Sequence, residues 1–128
     1  MNLYRIKLMA VTCLVLLAFS CKKPLGPTDI RLKNTTDYTF TNVEVNTSEG
    51  IHNYGTVGAG ETTEYKRFDL AYRQAQIELY IDQEKYVLIP VDYTYEVPLG
   101  HGMFTYELKA NTTEKVLTIH VTADAPLD

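Results

Sequence analysis

Three histidines, His52, His101 and His120, are the chain's only imidazoles and the first side chains to weigh for metal chemistry. A local zinc site places its ligands within a few residues of one another, and no two of these are that close. Distant strands would have to bring them together. The acids occur as Glu61 with Glu64, Asp82 with Glu84 and Asp92 with Glu96. None of these pairs sits among the alternating oxygen ligands and glycine of a calcium loop. Two carboxylates hydrolyse a glycosidic bond only when they face each other across a cleft, and these lie in turns. Ser48 stands in a polar turn without the flanking glycines of a nucleophile elbow. The residues that could do chemistry therefore point to a non-enzymatic protein, with no metal and no cofactor expected.

Tyrosine is the more suggestive residue type, at ten copies against no tryptophan. Tyr65, Tyr72 and Tyr80 surround the turn after Phe68, while Tyr86, Tyr93, Tyr95 and Tyr106 flank or fill the irregular stretch from Asp92 to Gly102. Tyrosine covers binding area at little entropic cost, and it is also an ordinary strand residue. The long stretch, with Tyr93, Tyr95 and Glu96, is the candidate binding surface for a protein or glycan partner. The competing reading is that Tyr93, Tyr95 and Leu99 cap the end of the fold.

The N-terminus sets where such a surface would work. Arg5 and Lys7 precede a twelve-residue apolar run from Leu8 to Phe19, stopped by Ser20, Cys21, Lys22 and Lys23. A membrane-spanning helix needs about 20 apolar residues, so this run is an export signal helix covering Met1 to Ser20. Leu17-Ala18-Phe19-Ser20-Cys21 resembles the lipobox of bacterial lipoproteins, whose cysteine is acylated, as with palmitate, and becomes the mature N-terminus. The resemblance implies that Cys21 is the lipidated residue and that its acyl chains tether the chain to the cell envelope, with the outer membrane, on its periplasmic or outer side, the expected location.

Cys13 leaves with the signal, so Cys21 is the single cysteine of the mature chain and no internal disulfide forms. The remaining 108 residues, Cys21 to Asp128, must then be held by their own core, and that length suffices for one domain. Without Arg5 and Lys7 the chain keeps 10 basic residues against 16 acidic ones, a net charge near −6. Nucleic acid and anionic surfaces are bound through clustered Lys and Arg, and are excluded as partners on that balance.

Residues 21–29 carry Pro24, Gly26 and Pro27 and read as a spacer, followed by a domain over 30–128. Within the domain, short runs alternate apolar and polar residues with period two. Ile30 and Leu32 form one such run, Val43 and Val45 a second. Ile51–Val57 is a third, interrupted at Asn53 and Gly55, and Thr62–Phe68 a fourth after the turn Gly58-Ala59-Gly60-Glu61. Ala75, Ile77, Leu79 and Ile81 share one strand face, whereas a helical stripe through the same segment is apolar at three of six positions. Asp82-Gln83-Glu84 connects as a tight hairpin into Lys85–Val91, whose run Tyr86-Val87-Leu88-Ile89 reads as a strand covered on both faces or sitting centrally. Met103–Ala110 and Lys115–Thr122 complete the series, with Leu117, Ile119 and Val121 on one face.

Eight short strands at this spacing imply an all-β antiparallel sandwich of about seven to eight strands, with an up-and-down barrel as the alternative. Ile77, Leu79, Leu117 and Ile119 belong to its core. Leu99 to Tyr106 resembles the approach at which immunoglobulin-like and fibronectin-like domains place a tyrosine corner, although the cysteine pair and tryptophan of antibody domains are absent. The chain as a whole resembles small lipoproteins of the Bacteroidota type with such a β domain. Asn34-Thr35-Thr36, Asn46-Thr47-Ser48 and Asn111-Thr112-Thr113 match a eukaryotic glycosylation acceptor, and in a bacterial chain they read as turn chemistry. Two functions fit: a ligand-binding module, or an accessory subunit whose exposed strand edge completes a sheet in an envelope assembly.

Overall fold

A computed structural model describes residues 25–91 and 96–126. The expected signal helix, Cys21 and the central tyrosines of the long stretch, Tyr93 and Tyr95, lie outside those residues. Among the described residues none is helical, and no helix is long and apolar enough to cross a membrane.

Eight strands follow one another: β1 Thr28–Asn34, β2 Phe40–Asn46, β3 Ile51–Val57, β4 Lys66–Phe68, β5 Gln76–Ile81, β6 Glu84–Leu88, β7 Gly102–Asn111 and β8 Val116–Ala125. They form two four-stranded sheets, ordered β4-β1-β7-β8 and β3-β2-β5-β6. All pairings are antiparallel except β1 with β7. The architecture is that of an all-β sandwich. Its core takes alternate residues from both sheets, as a pleat requires: Ile30 and Leu32 from β1, Val43 and Val45 from β2, Ile77 and Leu79 from β5, and Leu108 and Leu117 from β7 and β8. Ile119, expected with them, is half-buried near the edge of its sheet, where one flank lacks a covering strand.

Thr28 pairs with Phe68 and Gly102, and Asn46 pairs with Ile51 and Gln76, so these residues mark one end of the sandwich, here called the base. The His52 ring packs edge-on against Phe68 at 4.7 Å and its Nε2 lies 2.7 Å from the Arg67 carbonyl, which joins β3 to β4 across the two sheets. The chain also enters at the base. A Cβ on Gly26 would fall 2.0 Å from the Asp69 carbonyl oxygen, so glycine permits this approach of the N-terminal segment to the loop after β4.

Turn chemistry accounts for the three Asn-Thr motifs. In each, the asparagine Oδ1 accepts a backbone N–H two residues on: Thr36 on Asn34 at 2.9 Å, Ser48 on Asn46 at 2.8 Å and Thr113 on Asn111 at 3.0 Å. Asn34 goes further, because it is fully buried and donates from Nδ2 to the carbonyls of Tyr38 at 2.6 Å and Val57 at 3.1 Å. It ties the β1–β2 connection to the end of β3. The β5–β6 hairpin closes through Asp82 and Gln83, both at positive φ (49° and 68°), the two-residue turn whose twist matches that of the strands.

Several sequence expectations need correction. Lys85–Val91 is not a central covered strand: β6 spans Glu84–Leu88 at the end of its sheet, and Ile89 is 67% exposed. The run is continuous in hydropathy because Tyr86 faces the core while Val87 and Ile89 belong to the outer surface. The Thr62–Phe68 run shrinks to Lys66–Phe68, with Thr62 making an isolated bridge to Lys33. There the Thr63 hydroxyl accepts the Leu32 N–H at 3.0 Å, taking the place of a strand carbonyl. β1 begins at Thr28, two residues before the expected start of the domain. Tyr106 is fully buried and its hydroxyl donates to a backbone carbonyl, as in a tyrosine corner, but the acceptor is Tyr72, far upstream.

Candidate functional site

The outer face of the second sheet is set by what its inner face buries. Val45 and Ile77 point into the core, so their neighbours Asn46 and Gln76 point outward. Register places Asn46 between Ile51 and Gln76, and Ile89 follows Leu88, the partner of Ile77. Ile51, Asn46, Gln76 and Ile89 therefore form one cross-strand row over all four strands at the base. With Ser48, Gly50 and Pro90 this row lines a groove of about 480 Å³, within the usual range of ligand sites, about 300 to 1,000 Å³.

Its chemistry is two exposed aliphatic walls around two uncharged amides. Asn46 spends Oδ1 on Ser48 but makes no hydrogen bond from Nδ2 to another described residue, and neither does the Gln76 amide. The Asn46 Nδ2 donor and both ends of the Gln76 amide are thus available to a ligand. The next row toward the far end is acidic: Glu44 lies directly across from Glu78. Like charges in that position repel. Lys85 reaches Glu78 at 3.5 Å, while Glu44 has no cation within salt-bridge distance among the described residues. The groove can hold an extended, mostly uncharged segment and offers a carboxylate to a cation beside it.

The first sheet carries a second polar cluster, on its outer face. The β7–β8 register shifts between Met103 and Phe104, so Asp124 stands in a bulge of β8. Its Oδ2 accepts the hydroxyls of Thr105 at 2.6 Å and Tyr65 at 2.8 Å and lies 3.6 Å from Arg31 Nε. Arg31 in turn donates to Thr105 Oγ1 at 2.9 Å and stacks 4.9 Å over the Tyr65 ring. Desolvation, and then the Asp124 carboxylate, hold the Tyr65 phenol above its ordinary value. These groups satisfy one another, so the cluster is a brace for the end of β8 and not an open site.

The sequence-derived candidates scatter. Of Tyr93, Tyr95 and Glu96, only Glu96 is described; it is half-buried and does not line the groove. Beyond it, Leu99 N–H donates to the Ala71 carbonyl at 2.9 Å and Thr28 Oγ1 to the Gly100 carbonyl at 2.7 Å, which fastens the end of this loop to the base. His52 is engaged with Arg67 and Phe68, while His101 and His120 are exposed and apart, and no group of three metal-ligating side chains occurs among the described residues. Glu61 caps Gly58 N–H at 2.7 Å, Asp82 is a turn residue and Glu84 pairs with Lys115 at 2.6 Å. Tyr86 and Tyr106 are core residues. The groove residues carried no binding motif, and Asn46-Thr47-Ser48 had read as turn chemistry; the alternation that buries Val45 and Ile77 was the one signal that placed Asn46 and Gln76 outward.

No protein-family model matches the chain, and no curated protein matches it. Among solved structures, a protein from Eubacterium rectale determined by NMR is similar at 15% identity and a TM-score of 0.49, over 77% of this chain and 90% of that one.

Proposed function

We propose that this chain is a lipid-anchored cell-envelope protein, without enzymatic activity, whose immunoglobulin-like sandwich binds a segment of another protein. The tether part of the reading rests on the lipobox resemblance at Cys21 and places the protein at the outer membrane. The binding part is carried by one observation, the groove in which Ile51 and Ile89 flank the unengaged Nδ2 of Asn46 and the unengaged amide of Gln76. Among the described residues the lining is aliphatic and amide, a chemistry that suits an extended peptide segment. Amides pair with an extended backbone, the aliphatic walls with its side chains, and Glu44 with a Lys or Arg beside them.

A second reading, an accessory subunit of an envelope assembly, is supported by β8. This ten-residue strand pairs with β7 alone among the described residues, with half-buried Ile119 and Val121 behind its open edge. One experiment separates the two. A photo-crosslinking residue replaces Gln76 in one strain and Thr118 in another. Groove binding gives an adduct with a discrete protein from Gln76, lost when Asn46→Ala and Glu44→Gln are added. An adduct from Thr118 and none from Gln76 overturns the groove and favours assembly through β8.

A further inference from the structure

The base carries most of the large apolar side chains that the fold leaves in solvent. Of eight among the described residues, Leu25, Ile51, Ile89, Val91 and Val97 lie at or just beyond this end, whereas Tyr38 and Val116 lie at the opposite end and Val87 in the middle of β6. Ile51 and Ile89 belong to the groove. Leu25, at 63% exposure, Val97, at 77%, and the fully exposed Val91 do not. These three come from three separate segments, the entry to β1, the exit from β6 and the approach to β7.

Resting on the lipid-anchor part of the reading above, we propose that the base is a lipid-contacting face, on which Leu25, Val91 and Val97 enter the surface of the bilayer that holds Cys21. The length of the tether carries the argument. Six residues lie between Cys21 and Thr28, a path of at most about 25 Å when extended, and at Gly26 the chain already runs against the loop after β4 at the base itself. The base is therefore the end turned toward the membrane. A tether this short also raises the local concentration of lipid to a level at which a few aliphatic side chains suffice, although they would not hold an untethered domain. With a net charge near −6 the contact is apolar, and raised salt leaves it intact. The groove then opens beside the membrane surface, and its occupant is a segment presented there.

The test uses the full lipidated chain in phosphatidylcholine vesicles that contain a spin-labelled lipid. Cys21 is consumed by the anchor, so a single new thiol, Val97→Cys or Val116→Cys, takes a fluorophore specifically. Contact at the base quenches the label at 97 and leaves the label at 116 bright, and adding Leu25→Gln and Val91→Gln restores the signal at 97. Equal brightness at 97 and 116 in vesicle-bound protein overturns the lipid-contacting face while leaving the anchor standing. A Cys21→Ser chain is expected in the soluble fraction. If unmodified protein is also soluble, the anchor itself has failed and the contact falls with it.

Discussion

Replacing Asn34 by alanine tests how a buried polar residue holds the connection at the far end of the sandwich. The side chain is fully buried and makes four hydrogen bonds, two donated by Nδ2 to the Tyr38 and Val57 carbonyls and two accepted at Oδ1 from the Thr36 N–H and hydroxyl. Water can replace the amide at Thr36 and Tyr38, which lie toward solvent, but the Val57 carbonyl is left without its donor. At about 1 kcal/mol for each of the two solvent-facing partners, Thr36 and Tyr38, and slightly more for the orphaned carbonyl, the loss is about 3 kcal/mol. For a domain of this size that corresponds to a fall of roughly 12–24 °C in Tm, read by far-ultraviolet circular dichroism. Asn34→Asp sharpens the test. It places a carboxylate against two carbonyl oxygens, which raises its pKa, so its deficit is largest at neutral pH and shrinks as acid restores an O–H donor. A drop under about 5 °C for Asn34→Ala would refute the assignment of Asn34 as the tie between β1 and β3.

Two further outcomes follow from backbone and phenol. Gln83→Gly relieves a positive φ that favours glycine and stabilises the protein by about 0.5–1 kcal/mol, measured as a higher urea midpoint at unchanged slope; a lower midpoint contradicts the primed turn. Burial, and then the charge of Asp29, hold the Tyr54 phenol well above its ordinary value of 10, and its hydroxyl donates to the Ile30 carbonyl at 2.7 Å. The folded state keeps this proton longer than the unfolded chain, so the stabilisation is complete below about pH 10 and declines as pH rises beyond it. Tyr54→Phe flattens that alkaline decline in urea titrations; an unchanged decline removes Tyr54 as its source.

The strands were legible because each buries one face: alternation at Ile30, Leu32, Val43, Val45, Ile77 and Leu79 is the direct imprint of the pleat. Where the imprint misled, a local geometry intervened. Tyr86-Val87-Leu88-Ile89 reads as doubly covered because hydropathy does not distinguish a neighbouring sheet from a groove wall. Thr62–Phe68 looks like a long strand because a threonine hydroxyl substituting for a carbonyl leaves no trace in composition. The groove was invisible for a different reason. Its row draws one residue from or beside each of four strands, and no pair among Ile51, Asn46, Gln76 and Ile89 is closer in sequence than Asn46 and Ile51. Register brings them together, and register depends on turns such as Asp82-Gln83 and on the irregular pairing of β2, where Asn42 takes a positive φ of 49°.

The placement of the first and last strands has an engineering consequence. Thr28 pairs with Gly102, and Met103, the next residue, pairs with Ala125, so the start of β1 and the end of β8 are separated by β7 alone. Two strand spacings amount to about 10 Å, a gap that a few glycines and serines bridge. The domain can therefore be circularly permuted, with its ends rejoined at the base and new ends opened at the exposed turn Asp82-Gln83 or at Asn111–Lys115 on the opposite side. Such a permutant keeps every ladder pairing while moving the point of attachment from one pole of the molecule to the other. It turns orientation relative to a surface into a variable that can be set by cloning.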